Sequence, residues 1–134
     1  MDILAPFLAS SLVALGGAIG SLLRYQVGRL MTHVLGPAVV TAFPWATLTV
    51  NVVGSLVMGV LAGWLSKFGQ GGEHWRLFVG VGLLGGFTTF SSFSLELMLL
   101  IERGQSAYAF LYAAISLLAG LSALYIGLII MRLA

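Results

Sequence analysis

Asn51 is a carboxamide set in an apolar run, and its chemistry demands a partner. An amide in hydrocarbon is costly unless it is hydrogen-bonded. Asn51 therefore serves either as a bond between helices or as a ligand for a polar species passing by. Thr47 and Ser55 flank it at i−4 and i+4, which puts all three on one helix face. Gly59 and Gly63 nearly continue that row, and small residues at this spacing permit close helix contact. A second hydroxyl row, Tyr108, Tyr112 and Ser116, ends at Gly120. Tyr108 has the alternative reading of an interfacial anchor, whereas Tyr112 and Ser116 lie deeper and need partners. Two such rows on separate helices can line one polar path.

The densest anomaly follows. Gly80, Gly82, Gly85 and Gly86 lead into Phe87-Thr88-Thr89-Phe90-Ser91-Ser92-Phe93-Ser94. Glycine weakens a helix by roughly 1 kcal/mol relative to alanine, so this run predicts a helix broken near the middle of a membrane span. Carbonyls freed at such depth must be buried in protein or line a water-filled or ion site, and their partial negative charge suits a small cation. The competing reading is a continuous, closely packed glycine-rich helix. Phe90 and Phe93 sit inside the polar run. Aromatic rings have a positive edge, so edges turned into a pore favour an anion, while the plainer reading turns both rings to lipid.

Two charged residues lie near membrane depth, Arg24 and Glu96. Intramembrane charges are functional candidates by default. Arg24 has the alternative of snorkelling to the interface, and Glu96 has Arg24 or a hydroxyl as possible partners. His33 and His74 are read as loop residues with no second ligand at metal spacing. No nucleophile–base pair is visible, so an enzyme is not expected.

These residues need elements to carry them. A bilayer core takes about 20 apolar residues per helix, and four stretches qualify. They run over 4–23, with a more polar continuation toward Leu35, then 45–65, 77–101 and 107–131. Short connections carry Gly36-Pro37, Phe43-Pro44, Gly69-Gln70-Gly71-Gly72 and Glu102-Arg103-Gly104. Tyr25, Trp45, Trp64 and Trp75 fall near span ends, as interfacial aromatics do. The start, Met1-Asp2, lacks a basic region, and the following apolar stretch outruns a typical signal core, so it reads as a retained first helix. Residues 1–134 read as one transmembrane domain without internal repeats.

Composition agrees. The chain is 60% hydrophobic and 7% charged, where soluble domains carry about 25% charged residues. Scattered basic residues form no patch for nucleic acid. Without cysteine, disulfides and thiolate sites are excluded. Lys67, Arg76 and Arg132 fall on one side of the membrane and Arg24, Arg29 and Arg103 on the other. The positive-inside rule is thus balanced. Insertion in both orientations and antiparallel pairing follow, unless Arg24 is internal and one side prevails by a small margin.

At these residues the chain resembles the Fluc (CrcB-type) fluoride channels. Three motifs carry the resemblance in order: Gly16-Gly17-Ala18-Ile19-Gly20 with Arg24-Tyr25; Thr47-Leu48-Thr49-Val50-Asn51 with Gly54; and Gly85-Gly86-Phe87-Thr88-Thr89-Phe90-Ser91-Ser92-Phe93. The last is the most specific. The resemblance implies an all-α integral membrane protein that forms an antiparallel, dual-topology homodimer in the bacterial plasma (inner) membrane. It implies passive fluoride export through two pores per dimer. It assigns Phe90 and Phe93 to the pore by their ring edges. Asn51, together with Thr47, falls on the path, and Tyr112 and Ser116 on a polar track of the fourth helix. It assigns the backbone carbonyls of Gly85 and Thr88 to a structural sodium ion between subunits. Arg24, Glu96 and Thr89 match further candidate positions. Fluoride itself comes from the resemblance alone.

The main rival is a small dual-topology, proton-coupled exporter of toxic cations or drugs. It would carry a membrane carboxylate on its first helix, where this chain has none from Ile3 to Leu23. A non-transporting assembly subunit is the other rival, but it would have no need of polar residues aligned in mid-membrane.

Overall fold

The computed structural model describes residues 4–69 and 72–134. Met1 and Asp2, and Gln70 and Gly71 of the second connection, lie outside the described residues. Four helical segments are long and apolar enough to cross a membrane: Ala5–Leu35, Trp45–Phe68, Glu73–Glu102 and Ser106–Leu133. The chain is an all-α, multi-pass membrane protein.

The first crossing is a single helix, α1 (Leu4–Leu35), of 32 residues. At 1.5 Å per residue it is about 48 Å long, more than a bilayer core of about 30 Å. The polar continuation anticipated from sequence is thus helical, and it ends at Gly36, whose φ of 87° is open to glycine. His33 accordingly lies in the last turn of α1, and His74 lies in the short helix α4 (Glu73–Trp75). Both were expected in loops; both are exposed on helices instead. A six-residue helix, α2 (Pro37–Ala42), starts with proline at its first position and stops before Pro44. This agrees with proline's tolerance at helix starts and its restriction of the residue before it.

The second crossing is α3 (Trp45–Phe68). The third is composite. After α4 the chain winds as a π-helix over Arg76–Leu84, then as a single α-turn, α5 (Gly85–Phe87). Thr88 (φ −86°, ψ 161°) and Thr89 (φ −154°, ψ 124°) are extended, and α6 (Phe90–Glu102) follows. The fourth crossing, α7 (Ser106–Leu133), is reached through a turn in which Gly104 has φ 74°.

Two seams hold the crossings together. Along the first, α3 lies on α7, where a side chain at Gly59 would meet the Leu124 backbone and one at Gly127 the Leu56 carbonyl. Along the second, α1 lies on the π-helix and α5, and the contact is largely main chain on main chain. A Cβ on Gly20 would strike the Leu83 carbonyl, and one on Gly82 would stand 2.8 Å from the Val13 carbonyl oxygen. The apolar core sits toward one end, where Phe43, Leu100, Ala109 and Tyr112 pack with Leu48, Phe93 and Leu97. Much of the remaining apolar surface is exposed on the single chain, Phe90 to 79% and Leu117 to 63%.

Candidate ion pathway

Asn51, on α3, faces the extended pair Thr88–Thr89. Its Nδ2 donates to the Thr89 carbonyl at 3.0 Å, and its Oδ1 accepts the Thr89 amide at 2.8 Å. One side chain therefore satisfies both backbone groups of a residue that has left helical conformation, as buried backbone requires. Thr89 in turn starts α6: its Oγ1 accepts the Ser92 amide at 3.2 Å, the usual bond of an N-cap threonine.

The hydroxyl rows are not free donors throughout. Ser55 Oγ donates to the Asn51 carbonyl at 2.7 Å, Thr88 Oγ1 to the Leu84 carbonyl at 2.8 Å and Ser94 Oγ to the Phe90 carbonyl at 3.0 Å. Each returns to its own helix, a common fate of Ser and Thr. Two donors remain. Asn51 has a second N–H, because an amide nitrogen carries two. Ser116 Oγ is buried with no hydrogen-bond partner.

Both border one cavity of about 400 Å³, lined also by Ser55, Thr88, Thr89, Phe90 and Phe93. The rings of Phe90 and Phe93 are 5.9 Å apart, tilted by 40°. Phe93 lies against Tyr112 with ring centroids 5.1 Å apart. Five of the pathway candidates thus meet: Asn51, Phe90, Phe93 and Ser116 around the cavity, with Tyr112 behind Phe93.

Thr47 belongs to a different group. Thr47 Oγ1 donates to Glu96 Oε1 and the Tyr112 hydroxyl donates to Glu96 Oε2, both at 2.7 Å. Tyr112 is fully buried and Thr47 only 8% exposed. The deep carboxylate therefore pairs with hydroxyls from α3 and α7, which decides between the two partners open to it. Arg24 lies elsewhere, in a cavity of about 370 Å³ with Thr47, Thr89 and Ser92. A third cavity, about 200 Å³, reaches Thr47 and Glu96 from the side of Arg103, whose Nη1 donates to the Thr41 carbonyl at 3.1 Å.

Gly85 is exposed, and a side chain there would meet nothing within 4 Å in the single chain. Among the described residues no cluster of His, Cys, Asp and Glu suits a metal, so a cation at this depth would have to rely on backbone carbonyls.

Residues 11–128 match the family described as CrcB-like protein, Camphor Resistance (CrcB). The chain belongs to the CrcB-like family. Among similar proteins is the "Fluoride-specific ion channel FluC" of Erythrobacter litoralis, 55% identical over 99% of this chain and 98% of its own length. Its namesake in Novosphingobium aromaticivorans is 59% identical over 92% of this chain and 96% of its own. That of Caulobacter vibrioides is 51% identical over 90% and 93%. The three family motifs quoted above each acquire a place. The glycines of the first make the α1 seam, Asn51 of the second splints the extended pair, and the third supplies that pair and both rings.

The triad of Thr47, Glu96 and Tyr112 was not assembled from sequence, although each residue was a candidate. The signal available was chemical: a lone deep carboxylate needs donors, and each hydroxyl row offered one.

Proposed function

We propose that this chain is the subunit of a fluoride-specific channel, an antiparallel homodimer of the bacterial inner membrane that exports fluoride passively through two pores. The observation that carries the reading is the cavity beside the extended pair, where two ring-bearing residues meet the two unspent donors, Asn51 and Ser116. The names of the relatives supply the ion.

A fluoride ion entering a narrow path must lose water, and something must compensate. No lysine or arginine lies on the cavity wall. Ring edges are weakly positive, and the hydroxyl and amide can donate hydrogen bonds. Conduction needs binding weak enough to be left again, which this set provides better than a fixed cation. Phe90, 79% exposed on one chain, needs a further wall to line a pore, and a second copy supplies it. Balanced basic residues on the two sides of the membrane allow that copy to insert inverted. Surrounding lipid covers the remaining apolar surface.

The two-residue extension is the break in the third crossing. Carbonyls of Gly85 and Thr88, from both copies, fit a sodium ion between subunits. The amides that would occupy them in a continuous helix, those of Thr89 and Ser92, are bonded to side chains. Gly85 also stands open to the outside of the single chain. Oxygen ligands suit hard cations, and such an ion would supply charge neutralisation where four carbonyl dipoles converge.

The deciding experiment is fluoride efflux from proteoliposomes followed with a fluoride electrode, with chloride as control. Efflux of fluoride without chloride is expected. Equal rates for the two anions, or no efflux, would overturn the proposal.

A further inference from the structure

We infer that two side-chain acceptors, Asn51 Oδ1 and Thr89 Oγ1, hold the cation cage open by claiming the amides that would otherwise close it. The inference rests on the cage reading above and assigns these residues a positioning role in it.

In a continuous α-helix the amide of residue i+4 bonds the carbonyl of residue i. The partner of the Gly85 carbonyl is then the Thr89 amide, which instead donates to Asn51 Oδ1 at 2.8 Å. The partner of the Thr88 carbonyl is the Ser92 amide, which instead donates to Thr89 Oγ1 at 3.2 Å. The two carbonyls of the cage are the ones whose helical donors are held by these side chains. Asn51 adds a second restraint: its Nδ2 donates to the Thr89 carbonyl at 3.0 Å, and Thr89 is held extended, with φ −154° and ψ 124°. The splint comes from a different helix, 38 residues earlier in the chain. The opening of the third crossing is therefore set by its packing on α3 as well as by its own glycines.

Asn51 also borders the cavity with Phe90, Phe93 and Ser116. One amide thus serves the ion path with its spare N–H and the cage with its oxygen. Loss of flux in an Asn51 variant does not separate the two roles, so the test reads sodium instead.

Dimer dissociation of purified protein in detergent is followed by light scattering while sodium is titrated against a large organic cation at constant ionic strength. Asn51→Leu removes both bonds to Thr89. Thr89→Ala removes the acceptor of the Ser92 amide, and Thr89→Ser restores a hydroxyl. We expect Asn51→Leu and Thr89→Ala each to raise the sodium midpoint by about tenfold, the equivalent of one hydrogen bond lost. Thr89→Ser is expected to stay within about threefold. A merely structural role would weaken the dimer equally at every sodium concentration and leave the midpoint in place, which would overturn the inference. A wild-type dimer indifferent to sodium would overturn the cage itself, a result distinct from unmoved midpoints in the variants. If Asn51→Leu gives no folded protein, the Thr89→Ala and Thr89→Ser pair decides the matter alone.

Discussion

Glu96 is a carboxylate at membrane depth whose two oxygens are each held by one hydroxyl. A buried acceptor that loses its donor costs about 1–3 kcal/mol. Tyr112→Phe should therefore lower the melting temperature in detergent measurably, and Thr47→Val, nearly isosteric, should do the same. Unchanged melting in both would mean that the bonds contribute nothing. The rings invite a separate test. Phe93→Ile keeps an apolar side chain but removes the ring edge, and should slow fluoride efflux per folded dimer by about tenfold, a barrier change of about 1.4 kcal/mol. Phe93→Met, with an adaptable and polarizable chain, should retain more. Equal rates for wild type, Phe93→Ile and Phe90→Ile would reduce the rings to packing. Sequence spacing was enough to mark Asn51, Phe90, Phe93, Tyr112 and Ser116, because a polar group in hydrocarbon stands out wherever it falls. It could not reveal that Ser55 and Thr88 spend their hydroxyls on their own helices, since that depends on rotamers.

At the scale of elements, the seam between α1 and the third crossing sets how the extended pair is presented. Gly20→Leu would drive a side chain into the Leu83 carbonyl and Phe87 amide. Overpacking typically costs about 1–3 kcal/mol, and here the obstacle is backbone, which cannot rotate away. The expected result is loss of the monodisperse peak on size exclusion. Gly28→Leu, on the same helix with nothing within 4 Å of its Cβ, should elute as wild type. If both behave alike, the seam is not what holds α1 in place. The ends of α3 and α7 were legible to within a few residues from hydropathy and punctuation. The π-helix over Arg76–Leu84 was not, because i+5 winding leaves no periodic signature in nine residues and is favoured by contact with α1. The helix α2 was also missed: Gly36 and Pro44 mark its limits, but six residues are too few to show a pattern.

For the whole molecule, the tally of basic residues predicts insertion in both orientations. Glu73 is exposed at the start of the third crossing, and the chain has no native cysteine. Glu73→Cys leaves the Lys and Arg count untouched. In right-side-out cells a membrane-impermeant thiol reagent should label about half of the protein, and permeabilisation should release the rest to labelling, as equal populations of two orientations require. Labelling of all or none before permeabilisation would exclude the antiparallel pair.

The main-chain contact along α1 also bears on mutational tolerance. A random library of this gene, grown under fluoride stress, samples every glycine for its ability to accept a methyl group. Gly16, Gly20 and Gly82 should return no survivors, since each would meet backbone within its own chain. Gly28 should return many. Gly85 is the informative position: its Cβ would meet nothing within 4 Å in the single chain, so intrachain sterics permit alanine there. If selection nonetheless rejects alanine at Gly85 while accepting it at Gly28, the frequencies in a sequencing run would register a neighbour that belongs to another copy of the chain.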